Sequence, residues 1–261
     1  MSRRSHTIFQ MDESEKLQLA ERILVFCHKF NVPLEFLFEI LEDQKVTPMI
    51  RGKAMEFGAF RLLDSALARS AWSVQKLNLN AQQGVYDEDI TITHRRTGVI
   101  LKVESKSSVR GSFSDGTRSR TMKRPHFHVK CHRSRSNISL AGTSNDRYSV
   151  DSFDVVVTNT SNAIFQGNTV GEELEVVHDE RLRAILLNHY NAQTLHELID
   201  ACYRDWRFAI PSDIGVDGFI PRTPIVALED DPFWRPISEI EERITQVVDA
   251  KRSTKHSSRR N

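Results

Sequence analysis

Asp89, Glu104 and Lys106 are residue types that do chemistry together when a fold brings them side by side. Asp89 opens the run Asp-Ile-Thr-Ile-Thr, and Glu104 and Lys106 close the run Val99-Ile-Leu-Lys-Val-Glu-Ser-Lys. Apolar alternation predicts strands over 85–93 and 99–106, with Arg95-Arg96-Thr97-Gly98 as a hairpin turn between them. Side chains alternate faces along a strand, so Glu104 and Lys106 project on the same side, roughly 7 Å apart. Pairing through the turn carries Asp89 to the end of the hairpin that holds Glu104 and Lys106. Two carboxylates and an ammonium then converge at one edge of a sheet.

That grouping suits phosphodiester hydrolysis. A hard cation such as Mg²⁺ takes oxygen ligands, usually one or two carboxylates, with water and substrate phosphate filling the rest. Asp89 and Glu104 can supply the carboxylates, and the carbonyl of Ser105 a third oxygen. The ion neutralises charge developing on the phosphorus and acidifies a bound water. Lys106, a compact point charge, can hold or help deprotonate that water while meeting a phosphate oxygen. The plain structural alternative is a cross-strand Lys–carboxylate cluster on a wet sheet face, a common arrangement that contributes little. Asp87 shares a strand face with Asp89, so periodicity leaves either as the ligand; Asp89 is preferred because the apolar alternation starts directly after it.

Asp89 followed at a gap of fifteen by Glu104-Ser105-Lys106 resembles the split Asp…Glu-x-Lys signature of the PD-(D/E)xK nucleases, although Glu88 stands where that signature has proline. Many members carry a glutamate on the helix just upstream, and Glu56 in Arg51-Gly-Lys-Ala-Met-Glu-Phe-Gly-Ala-Phe-Arg-Leu-Leu matches it. The residues agree: Glu56, Phe60, Leu63 and Leu67 share one helical stripe, so a carboxylate sits on an otherwise apolar face and needs a partner or a metal. Chain length, the basic zone beyond the Glu-x-Lys strand and the later Asp151-Ser-Phe-Asp-Val-Val-Val strand resemble type II restriction endonucleases. The resemblance implies a cytoplasmic, Mg²⁺-dependent homodimer that cuts double-stranded DNA at fixed sequences, with Asp89, Glu104, Lys106 and Glu56 catalytic. A junction-resolving, repair or antiphage effector nuclease, or a nucleic-acid-binding module with a retired active site, are the rival readings.

Charge distribution supports a polyanionic partner. The 261 residues carry a net charge of only +1, yet His94 to Arg135 holds twelve Lys and Arg against two acids, so the remainder is net acidic. Such a zone is the footprint of a surface that meets nucleic acid. Arg110, Arg118, Arg120, Lys123 and Arg124 fall in a Ser/Gly-rich stretch just past Lys106, with Arg133 and Arg135 in a second run, and are the candidate DNA contacts. His126, His128 and His132 read as sheet-surface or phosphate contacts, since two further soft zinc ligands are lacking nearby.

The elements that must position these groups follow from period and punctuation. Helices are expected from about 12 to 27, from Pro33 to about 41, and from about Lys53 to Arg69 after a break at Val46-Thr-Pro-Met. Further strands are expected at 127–131, 153–158 and 224–228, with 153–158 central and buried. Helices are expected at 176–190, 194–208 and 237–250. The organisation expected is α/β: a central mixed β-sheet flanked by helices, a restriction endonuclease-like core over 51–250, an N-terminal helical extension over 1–50, and a disordered basic tail over 251–261.

Several classes are excluded. Hydrophobic residues make up 39% and charged residues 27%, with 11 Gly and 8 Pro, against collagen-like or wholly disordered chains. No run approaches the roughly 20 apolar residues of a membrane span, and no apolar segment follows Arg3 and Arg4 as in a secretory signal. Cys27, Cys131 and Cys202 are three and widely spaced, which disfavours a disulfide framework and points to a reducing compartment. No Gly-x-Ser-x-Gly elbow and no phosphate-binding Gly-x-x-x-x-Gly-Lys-Ser/Thr loop is present. Trp72, Trp206 and Trp234 read as packing residues.

Overall fold

The computed structural model describes residues 12–43, 45–76, 89–109, 125–132, 146–167, 174–176 and 180–257. It divides into two compact units, Met1–Ile50 and Arg51–Asn261. In the first, α1 spans Glu13–Phe30 and α2 spans Leu34–Glu42. Asp12 and Glu15 form a reciprocal capping box at the start of α1, and Asn31 closes it in the left-handed conformation. Helix α3 spans Val46–Ala66, so the expected break at Val46-Thr-Pro-Met is corrected. Pro48 falls in the first turn, where a missing N–H costs nothing and the fixed φ favours the helix.

The second unit continues with β1 (Trp72–Lys76), β2 (Ile90–His94), β3 (Ile100–Ser105), β4 (Ser108–Val109), β5 (His126–Val129), β6 (Val155–Asn159), β7 (Phe165–Gly167) and β8 (Leu174–Val176). Helices α4 (Glu180–Tyr190) and α5 (Leu195–Arg204) follow, then β9 (Trp206–Ala209), α6 (Pro211–Ile214), β10 (Ile225–Ala227), β11 (Arg235–Pro236) and α7 (Ile240–Ser257). This is a mixed α/β architecture. Its main sheet has six strands in the order β1-β2-β3-β6-β9-β11, and a smaller sheet has the order β10-β5-β4. Strands β2 and β3 pair antiparallel across the expected turn, where Gly98 supplies φ of 67°. Strand β6 lies parallel to β3, and the remaining pairs of the main sheet are antiparallel.

Helices cover both faces of the sheet. On one face Met55, Ala59 and Leu63 of α3 and Ile240, Ile244 and Val248 of α7 pack on Ile90, Ile92, Leu101, Val103, Val155, Val157 and Phe208. On the other, Val156 and Ala209 meet Leu186 of α4, Leu198 and Cys202 of α5 and Phe127 of the small sheet. Alternate residues of β6 therefore enter different cores and the strand is buried throughout, as its Val-Val-Val run predicts. The buried stripe of α3 is Met55-Ala59-Leu63, one position round from the expected Glu56-Phe60-Leu63, which leaves Glu56 on its flank. The sequence 194–208, expected as one helix, breaks at Asp205 into α5 and β9. The helix expected from Val176 starts at Glu180, with Val176 in β8. Helix α7 continues to Ser257, which corrects the tail reading over 251–257.

Candidate functional site

The register of β2 and β3 brings the two halves of the split motif together. Ile90 pairs with Val103, and one step beyond, the Asp89 N–H donates to the Val103 carbonyl at 3.2 Å. The Ser105 N–H donates to Asp89 Oδ2 at 3.0 Å, so the Asp89 carboxylate sits against the backbone between Glu104 and Lys106. On the other side of β3, Glu104 pairs in register with Val156 of β6, and the Lys106 N–H donates to the Val157 carbonyl at 2.9 Å. Strand β2 begins and β3 ends at this point, and three ionisable side chains are gathered there.

Glu104 is buried, 4% exposed, and accepts from Lys106 Nζ through Oε1. Lys106 Nζ also donates to the Tyr148 hydroxyl at 3.2 Å and lies 4.8 Å from the centroid of that ring. Burial alone would push the Lys106 ammonium down, but Glu104 and then Tyr148 hold it well above the ordinary lysine value. Lys106 is therefore held as a cation and hydrogen-bond donor by its pair with Glu104. Sequence reasoning missed Tyr148, which is distant in the chain and carries no motif; only tertiary packing reveals it.

Glu56 belongs to the same electrostatic group. Its carboxylate accepts from Lys53 Nζ at 2.7 Å, one turn earlier on α3, and from Lys76 Nζ at 2.9 Å at the end of β1. Lys76 stands opposite Ile90, next to Asp89 in sequence. Burial pushes the Asp89 carboxyl up and the Glu56 charge adds to this, while the Ser105 N–H, Lys106 and Lys53 oppose them only in part. The Lys53–Glu56 spacing of three was readable as a helical ion pair. Lys76 had no signal, because β1 itself was not expected.

By register Asp89 falls across the strand pair from Glu104, and two hard-oxygen carboxylates are the small number that Mg²⁺ takes in phosphate chemistry. An Asp89 carboxyl whose neutral form is favoured by burial and by Glu56 is also a group that a divalent cation would help ionise. The donor set thus fits. Among the described residues, however, no group of three or more His, Cys, Asp or Glu gathers as a metal site, so Glu56 does not join the other two as a third ligand.

Arg110, Arg118, Arg120, Lys123, Arg124, Arg133 and Arg135, the expected DNA contacts, lie outside the described residues, as does Asp87. His126 is 1% exposed, at the centre strand of the small sheet, which corrects its reading as a surface contact. Its ring stacks edge-on against His128 at 5.2 Å, and burial pushes the His128 imidazole down. All three cysteines are free and buried, and burial pushes the Cys131 thiol up to about 12, away from nucleophilic chemistry.

A second polar cluster lies between β6 and β9. Asp205 accepts from Arg207 Nε at 3.0 Å and Nη2 at 3.1 Å, from the Tyr190 hydroxyl at 2.6 Å and from Thr160 Oγ1 at 3.0 Å. Arg207 donates onward to the Ala227 and Leu228 carbonyls. Burial would raise Asp205, but these donors hold it below the usual carboxylate range. Every strong acceptor and donor is matched, as in a structural tie joining strand, helix and loop.

No protein-family model matches the chain, and no curated protein matches it. Among solved structures, the chain is similar to a bacterial homing endonuclease, I-Ssp6803I, at 15% identity and a TM-score of 0.35, covering 81% of this chain and 98% of that one.

Proposed function

We propose that this chain is a Mg²⁺-dependent, sequence-specific endodeoxyribonuclease of the type II restriction kind, cytoplasmic and homodimeric, that hydrolyses phosphodiester bonds of duplex DNA. The observation that carries the reading is the meeting of Asp89, Glu104 and Lys106 where β2 begins and β3 ends, joined by the Ser105–Asp89 and Lys106–Glu104 hydrogen bonds. Asp89, Glu104 and the Ser105 carbonyl would hold the ion, which when bound supplies an acidified water and charge neutralisation at phosphorus. Lys106 meets a non-bridging phosphate oxygen and holds or helps deprotonate the attacking water. Tyr148 fixes the Lys106 amine, and Glu56 with Lys53 sets the local field that Asp89 feels, while Lys76 holds the Glu56 carboxylate. The basic run from Arg110 to Arg135 serves DNA, with phosphate contacts positioning the duplex and arginine–guanine pairs discriminating by about 1–3 kcal/mol each.

The experiment is a digest of phage DNA in Mg²⁺ and in Ca²⁺, with wild type and the Glu104→Gln variant. Discrete bands in Mg²⁺ from wild type alone support the reading. A second reading is favoured by the ion pair that already engages Glu104: a nucleic-acid-binding module whose site performs no chemistry. It predicts tight, salt-sensitive DNA binding with no cleavage in either metal.

A further inference from the structure

Helices α1 and α2 carry far more apolar surface than they bury. Of nineteen exposed large apolar side chains among the described residues, eleven lie on these two helices, including Leu17, Leu24, Phe26, Phe36 and Phe38. Six of the nine residues of α2 are apolar and only Leu37 is buried, while α1 buries only Cys27. In α2 the three acids, Glu35, Glu39 and Glu42, share one stripe and the rest of the circumference is apolar, and an apolar arc of that width is one that another surface covers. A unit of this size has too little interior to supply that cover itself.

The amount of surface and its charges both identify the cover. Four of the eleven are phenylalanines, which present about 150–250 Å² each when fully free, and at near half exposure the eleven together offer on the order of 900 Å² over all faces of the two helices. A stable protein–protein interface takes about 800 Å² from each partner. The first turn of α1 is acidic, with Glu13 and Glu15, and its last turn is basic, with His28 and Lys29. Two copies of α1 packed antiparallel about a two-fold axis set each acidic end against the partner's basic end, and parallel packing would set like against like. We infer that the helical extension is a self-association module, in which α1 and α2 of two copies of this chain pack with their α1 helices antiparallel. The interface is isologous, so one surface serves both copies. This assigns the contact of the proposed homodimer and rests on that reading only for its stoichiometry.

Sedimentation velocity on the full chain tests it. Wild type should run as a dimer at micromolar concentration, and Leu24→Glu with Phe26→Glu should raise the dimer dissociation constant at least about tenfold with circular dichroism unchanged. Glu13→Lys with Glu15→Lys should weaken the dimer, as should His28→Glu with Lys29→Glu. An equal mixture of these two variants should form a heterodimer, which separates pairing across an interface from an effect on each helix's own dipole. A monomeric wild type, a dimer indifferent to the Leu24/Phe26 change, or a mixture that stays monomeric would overturn the inference. The nuclease chemistry fails separately: Glu104→Gln should remain dimeric while losing cleavage, and Mg²⁺-dependent cleavage by a monomeric wild type would leave the chemistry standing while refuting both the homodimer and this interface.

Discussion

Ser105 and Asp89 are tied by a 3.0 Å bond from the Ser105 N–H to Asp89 Oδ2, which locks the carboxylate that begins β2 against the end of β3. The bond satisfies one backbone donor at a strand end and fixes the carboxylate beside Glu104. It offsets only part of the cost of burying a charge near Glu56, so Asp89 is a place where the fold gives up stability.

Replacing Asp89 with Asn should therefore stabilise the metal-free protein at neutral pH while lowering cleavage by at least about 10²-fold. The carboxyl pKa is raised on folding, so its favourable contribution is complete below the unfolded value near about 4 and is lost as pH rises through the folded value. Thermal melts should show the variant above wild type at pH 7 and the two converging as pH falls toward 4. A variant melting below wild type at pH 7 would refute the account of Asp89.

Cleavage by wild type should fall on acidification through the raised Asp89 value, since the ionised carboxylate is the form that holds a cation. Rates measured against pH at saturating Mg²⁺ test this, and the acid limb should move to lower pH as Mg²⁺ is increased, because the ion competes with the proton.

Lys106→Met should be costly to the fold, because it removes the cation from the buried Glu104 carboxylate. Losing one member of a buried pair costs about 3–5 kcal/mol, read by urea denaturation. The double change Lys106→Met with Glu104→Gln should recover part of that loss without recovering activity. Tyr148→Phe keeps the ring beneath the amine and loses only the 3.2 Å hydrogen bond, for about 0.5–1.5 kcal/mol.

Asp205 has the opposite sign. Its carboxylate is held below the usual range by Arg207, Tyr190 and Thr160 against the cost of burial, so its contribution is present above the unfolded value and disappears as pH falls through the folded one. Asp205→Asn should destabilise at pH 7 by about 3–5 kcal/mol, with the gap to wild type closing in acid, and should leave the cleavage specificity of the surviving folded fraction unchanged.

The β2–β3 hairpin was legible because three signals coincided: period-two alternation on both sides, a polar turn, and a glycine where positive φ is needed. The central place of β6 was legible from Val155-Val-Val alone. Strand β9 was not, since Leu195, Leu198 and Cys202 mark a helical face and Trp206 continues their spacing; the helix stops because Asp205 is drawn into its bonds with Arg207, Tyr190 and Thr160, which no local pattern announces. The helix-opening role of Pro48 was misread as a break for want of the Asp43 turn before it, where the Lys45 N–H donates to Asp43 Oδ1 at 2.7 Å. At the site, residues sharing a hairpin were found from spacing, and the partners from elsewhere, Tyr148 and Lys76, were found only by packing.

The central claim is that Asp89, Glu104 and Lys106 act together on a phosphodiester. Its most direct test is cleavage of a long duplex DNA in Mg²⁺ by wild type and by Glu104→Gln, an isosteric change whose folding is checked by circular dichroism. The account predicts discrete fragments from wild type and none from the folded variant, with DNA binding kept in Ca²⁺. Wild-type cleavage undiminished in Glu104→Gln, or no cleavage by wild type on any duplex tested, would contradict it.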